Sequence, residues 1–201
     1  MGCDRFDPSS ESDGSLEGTG ARVLEIDFLD ESTIENAARE CGDQPLDVLV
    51  NVGGLPPNPK AWQDNTPSLL SERFSVMAVG PLLTTKHFLP NLEKSTNGRV
   101  VSISSLMGSV TENSFGTCLA YRVGKCALNQ VTVTLARDFE KEGRNVTVVV
   151  MEPGFVPTRL TEYDSVDDMD TCIAGLTEQI EKLTKESNGQ FIQWTGERVP
   201  F

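Results

Sequence analysis

Histidine is almost missing from this 201-residue chain, with His87 the only one. One imidazole argues against a multi-histidine metal centre and against a Ser-His-Asp hydrolase, and no metal site is expected. Cysteine is sparse and unpatterned. Cys3, Cys41, Cys118, Cys126 and Cys172 are odd in number and contain no C-x-x-C pair. They point to reduced thiols in a cytoplasmic protein, with neither a disulfide frame nor a zinc site. Positive charge is also short: 17 Lys and Arg stand against 30 Asp and Glu, a formal net of −13. Phosphate contacts need clustered cations, so a nucleic-acid or anionic-membrane binder is not expected. No apolar run approaches the ~20 residues that cross a bilayer, and no signal peptide opens the chain. The length suits one domain with a substantial core.

The first twenty residues carry five acids against Arg5 and few apolar groups. Residues 1–20 are therefore expected to be an acidic, disordered segment ahead of a single domain over 21–201. From there the pattern alternates. Arg22–Ile26 reads as a strand, and Asp30 supplies an N-cap for a helix to about Cys41. Leu46–Val50 is a continuous apolar run of the kind buried on both faces of a parallel sheet. Leu70, Phe74, Met77, Pro81, Thr85, Phe88 and Leu92 step at helical spacing, with Pro81 expected to bend that helix. Arg99–Ile103 is a further strand, and a helix from about Cys118 to Lys141 follows. Asn145–Met151 is the most β-branched strand. An amphipathic helix around Ile173–Leu183 and a last strand, Gln190–Trp194, close the chain. Strands alternating with helices predict an α/β fold on a parallel sheet.

Chemistry concentrates at strand ends. Tyr121 and Lys125 lie four residues apart and share a helix face. A free phenol titrates near pH ~10, and a nearby cation favours the phenolate. The strand Val100–Ile103 runs into Ser104 and Ser105, where a hydroxyl can bond a substrate carbonyl oxygen. Asn51-Val-Gly-Gly54 ends the preceding strand and Glu152-Pro-Gly-Phe-Val-Pro-Thr158 the following one, both small enough for a flat ligand to approach the backbone. Asp164, Asp167, Asp168 and Asp170 lack the spacing of a calcium loop and read as a solvated helix lead-in. Trp62 and Trp194 read as packing or as lining of a substrate pocket.

These stretches (LDVLVNVGG, VVSISSLMGS, YRVGKCALN and EPGFVPT) resemble the short-chain dehydrogenase/reductase family, in its order, over about Arg22–Phe201. The 16-residue step from Ser105 to Tyr121 and the phrase Y-R-x-x-K-x-A-L-N are similar to its C-signal/sniffer-like carbonyl reductase branch. The tail GQFIQWTGERVPF resembles fungal ketoreductases, some of them in secondary-metabolite pathways. The resemblance implies a Rossmann-like, doubly wound parallel sheet. It implies an oxidoreductase moving a hydride between NADP, with NAD not excluded, and a small-molecule carbonyl or alcohol. Tyr121 would be the acid or base, Lys125 would lower its pKa and hold the nicotinamide ribose, and Ser105, or next Ser104, would polarise the carbonyl. Asp27, Asn51 and Gly53 would lie along adenosine, and Val156 and Thr158 would meet the carboxamide. The two long helices would form a homodimer, or pair with an intact family subunit.

Two departures accompany the resemblance. No T-G-x-x-x-G-x-G turn is present for a pyrophosphate. The glycines of 13–20 read as a flexible loop, and Cys3–Pro8 resembles the end of the family's second strand, with Arg5 a weak pointer to the NADP 2′-phosphate. The sheet is thus expected to lack the first strand, first helix and most of the second strand. That leaves Arg22–Ile26 without its neighbour and the Leu46–Val50 strand as an open edge. Met77 also stands where the family carries a relay asparagine, and a thioether cannot donate. Two alternatives follow: an impaired, truncated homologue acting as a dimer or interaction partner, or a longer enzyme whose start lies upstream.

Overall fold

The computed structural model describes residues 2–4 and 20–201. Of the segment 1–20 expected to be disordered, residues 1 and 5–19, with the glycine-rich stretch up to Thr19, lie outside the described residues. Six strands and five α-helices follow in order: β1 Gly2–Asp4, β2 Val23–Glu25, α1 Glu31–Cys41, β3 Val48–Asn51, α2 Pro67–Phe74, α3 Gly80–Leu92, β4 Gly98–Ile103, α4 Leu119–Glu142, β5 Val146–Glu152, α5 Met169–Lys182 and β6 Phe191–Gln193. Strands β3-β4-β5-β6 form one parallel sheet.

The centre of that sheet is β5, whose seven residues VTVVVME are all buried. A strand buried along its whole length is stable only where helices cover both faces. Side chains alternate as the pleat requires. Val100 and Val148 pack with Leu92, Ala136 and Phe139 from α3 and α4. Val101, Val149 and Met151 pack with Leu183 and Ile192, and with Leu176 and Ile180 of α5. Helices on both faces of a parallel sheet are the expected doubly wound arrangement.

β1 and β2 pair in parallel as a separate two-stranded sheet. This corrects the expectation that Arg22–Ile26 lacks a neighbour, since Gly2–Asp4 pairs with Val23–Glu25. Leu24 and Ile26 pack with Ile34, Ala37 and Phe88, fixing β2 to α1 and α3. β3 ends the larger sheet among the described residues, and Val50 is 42% exposed there, as an open edge implies.

Local signals set the helix ends. The Asp30 side chain accepts from Ser32 N at the start of α1, and Asp168 accepts from Thr171 N at the start of α5. The aspartate cluster is thus a helix lead-in, as read from its spacing. The long helical pattern breaks before Pro81. A π-helical turn, Ser75–Val79, separates α2 from α3, and Pro81 sits at the opening of α3, where its missing N–H does no harm.

Candidate active site

The ends of β3 and β4 and the first two turns of α4 converge. Ser105 follows β4 and caps a 3₁₀ turn, Leu106–Gly108, its Oγ accepting from Met107 N at 3.2 Å. The Tyr121 phenol lies near enough to that hydroxyl for Ser105 to oppose part of the rise in its pKa. Ser104 is engaged elsewhere, donating to Asn129 Oδ1 at 2.6 Å, while Asn129 Nδ2 donates to Gly108 O at 3.1 Å. Of the two serines, Ser105 is the one beside the phenol.

Close backbone packing seats α4. A Cβ on Gly108 would stand 2.9 Å from Lys125 Cβ. A Cβ on Gly124 would stand 2.7 Å from Met77 Sδ and 3.2 Å from Arg73 O. Lys125 is 3% exposed and donates to Ile103 O at 2.7 Å and Gly53 O at 3.2 Å. The ammonium thereby ties the ends of β3 and β4 to α4. Burial pushes its pKa down to about 8, and the two carbonyls it bonds favour its charged form below that.

Tyr121 is 6% exposed and packs with Met77 and Cys118, with Leu55 and Met107 alongside. Burial pushes its phenol up to about 12, and the neighbouring Ser105 hydroxyl only partly opposes this. The expected lowering by Lys125 is not what this arrangement produces. Nζ lies 5.9 Å from the ring centroid and its hydrogen bonds go to carbonyls, so desolvation dominates. Met77, at the relay asparagine's place, is fully buried in the π-helical turn. It serves there as packing against Tyr121 and Gly124.

The remaining expected residues spread along the same edge. Asn51 ends β3, 3% exposed, its Nδ2 donating to Ser102 Oγ at 3.4 Å. Gly53 faces the Phe28 ring, which a Cβ would strike at 2.2 Å. Asp27 Oδ1 accepts from Leu29 N at 2.9 Å. Thr158 N donates to Thr161 Oγ1 at 2.9 Å, and that hydroxyl donates to Val156 O, also at 2.9 Å. Trp62 is 71% exposed, whereas Trp194 packs against Gly154 and Gly175. Glu152, whose carboxyl burial pushes up, accepts from Gly154 N at 3.0 Å and shapes the loop after β5.

Sequence reasoning missed Arg122. It is 7% exposed and bonds the carbonyls of Gly116 and Thr117 at 3.0 and 2.9 Å. The R of Y-R-x-x-K was a visible signal, but arginine ordinarily reads as solvent-facing.

The sequence profile of the short chain dehydrogenase family matches residues 10–168. C-signal of Myxococcus xanthus is 32% identical over 157 residues, 78% of this chain and 93% of that protein. Among solved structures, an NADPH-bound carbonyl reductase from chicken fatty liver superposes with a TM-score of 0.87 at 23% identity, covering 99% of this chain and 86% of that one. The carbonyl reductase Sniffer of D. melanogaster gives the same score and coverage at 24% identity. The chain belongs to the short-chain dehydrogenase family of oxidoreductases.

Proposed function

We propose that this chain is an NADP-dependent carbonyl reductase, with NAD not excluded, acting on a small-molecule carbonyl or alcohol. The observation that carries the reading is the convergence of Ser105, Tyr121 and Lys125 where β4 meets α4. The residues at hand suit the nicotinamide-ribose half of the cofactor. Buried Lys125 brings an ammonium to the mouth formed by Gly53 and Gly54, with Asn51 beside it. Val156 and Thr158, on the loop after β5, would meet the carboxamide. Asp27 and Gly53 would serve the adenosine side. Among the described residues there is no glycine-rich turn for the pyrophosphate.

The bound nicotinamide would supply the hydride. Ser105 Oγ would hydrogen-bond the carbonyl oxygen, and the Tyr121 phenol would hand that oxygen its proton. A phenol held at about 12 stays protonated at neutral pH, which suits the acid of a reduction better than the base of an oxidation. The Lys125 ammonium, 5.9 Å from the ring, would favour the phenolate that forms.

A second reading is favoured by Met77, a buried thioether that cannot donate a hydrogen bond. In it the chain is a catalytically impaired homologue, pairing with itself or with an intact subunit through α2–α3 and α4. Phe74 on α2 and Val123 on α4 are 47% and 42% exposed, which supports such pairing. No helix among the described residues is long and apolar enough to cross a membrane. The free Cys41, Cys118, Cys126 and Cys172 suit a cytoplasmic setting. The tail GQFIQWTGERVPF favours a ketoreductase of fungal secondary metabolism as the finer reading.

Titration calorimetry with NADPH separates the readings. The reductase is expected to bind at micromolar affinity, weakened at least about tenfold in Lys125→Met, a loss of about 1.4 kcal/mol. An absence of binding heat overturns the first reading in favour of the second.

A further inference from the structure

Between Ser105 and Tyr121 the backbone takes an uncommon course. Gly116, Thr117 and Cys118 follow one another in the left-handed region, at φ 68°, 63° and 53°. Glycine tolerates that region, but a β-branched threonine followed by a cysteine does not settle there unaided. Consecutive residues of this kind persist only where surrounding groups over-determine them. The very next residue opens α4, which carries Tyr121 in its first turn. No side-chain cap fixes that opening, because Cys118, at the N-cap, makes no capping bond.

Arg122 supplies the missing constraint. Its Nε donates to Gly116 O at 3.0 Å and Thr117 O at 2.9 Å, and Nη1 reaches Met107 O at 3.4 Å. Its guanidinium carbon lies 4.6 Å from the centroid of the Phe115 ring, which covers it from outside. The loop is tied on its far side too, where Cys118 N donates to Lys60 O at 3.0 Å. One buried side chain thus grips both ends of the 106–118 segment, adjacent in sequence to the tyrosine at the centre of the site. A planar fork with fixed donor directions and a face for stacking can do this. A lysine, with one nitrogen, cannot span the same carbonyls or stack.

We propose that Arg122 is a positioning residue. It holds the 106–118 segment, with its left-handed turn at 116–118, in place and so fixes the placement of Tyr121 against Ser105. The proposal rests on the reading of Tyr121 and Ser105 as reacting groups.

The test compares wild type with Arg122→Lys, which keeps the charge and loses the fork, and with Phe115→Leu, which removes an exposed stacking partner without opening the core. Amide hydrogen exchange over 107–118 is expected to quicken at least about tenfold in Arg122→Lys and by less in Phe115→Leu, with β4 and β5 unchanged. With NADPH and a reducible carbonyl, kcat is expected to fall at least about tenfold in Arg122→Lys while KM moves less than about threefold. Unchanged exchange overturns the proposal. So does faster exchange with unchanged kcat. Should wild type reduce no carbonyl, the reductase reading fails separately. Titration of the Tyr121 phenol in a Tyr163→Phe background then decides: it should move toward the usual phenol range in Arg122→Lys, and an unmoved titration overturns the proposal.

Discussion

Lys125 is a buried ammonium whose charge is held by two backbone carbonyls, and this has a measurable thermodynamic consequence. Burial lowers its pKa from the ordinary 10.5 to about 8. At 1.36 kcal/mol per pKa unit, the difference corresponds to about 3 kcal/mol. Below about pH 8 both folded and unfolded chains carry the proton. Between there and 10.5 the folded chain releases it while the unfolded chain keeps it. The unfolded state then binds more protons, so stability rises with pH across that window. In Lys125→Met the rise is absent. Substitution also strips a partner from Gly53 O and Ile103 O, but that offset does not depend on pH, so only the slopes matter. Urea unfolding of both proteins from pH 7 to 10 is the assay. Wild type is expected to gain about 2 kcal/mol over the variant between pH 8 and 10. Parallel curves, agreeing within about 0.5 kcal/mol throughout, would refute the buried, desolvated ammonium.

Other consequences lie close by. Tyr163→Phe leaves Tyr121 as the only tyrosine, and a rapid pH-jump ultraviolet titration is expected to place its ionisation near 12; a midpoint near 10 contradicts its burial. Gly124→Ala gains helix propensity of about 1 kcal/mol, yet forces a Cβ to 2.7 Å from Met77 Sδ and 3.2 Å from Arg73 O. Overpacking of about 1–3 kcal/mol outweighs that gain, so Tm is expected to fall by a few degrees, and a second change, Met77→Ala, should recover part of the loss. A raised Tm in Gly124→Ala alone would show that α4 has room to spare. Ser104→Ala strands the buried Asn129 Oδ1 and should lower unfolding free energy by about 1–3 kcal/mol, whereas Ser105→Ala should leave stability nearly unchanged and reduce turnover. The reverse pattern would exchange the roles of the two serines.

Most of the fold was legible because parallel strands and amphipathic helices write their periods into sequence. Asn145–Met151 announced β5 through its β-branched run, and Asp30 announced α1 through its cap. The break in the long helix was less so. Proline advertises a bend, but the π-helical turn falls at Ser75–Val79, ahead of Pro81, where α4 approaches through Gly124. That contact joins residues distant in sequence and leaves no local pattern. The pairing of Gly2–Asp4 with β2 was missed for a similar reason, because a short strand inside an acidic stretch lacks an apolar signature. At the site, residue types and spacing pointed to Tyr121, Lys125 and the Ser104–Ser105 pair, and the family resemblance put Ser105 first. The direction of the Tyr121 shift was not readable, because it depends on how completely Met77, Cys118, Leu55 and Met107 exclude water from the ring. Nor was the inward turn of Arg122, which depends on three carbonyls from a loop with no regular period.

The most direct test of the catalytic reading is carbonyl-dependent oxidation of NADPH by the purified chain, followed by its near-ultraviolet absorbance across aldehydes and ketones, beside Tyr121→Phe. Consumption that requires a carbonyl and falls by about a thousandfold in Tyr121→Phe is the expected result. NADPH oxidation that persists undiminished in Tyr121→Phe, or none at all with any carbonyl, would contradict it.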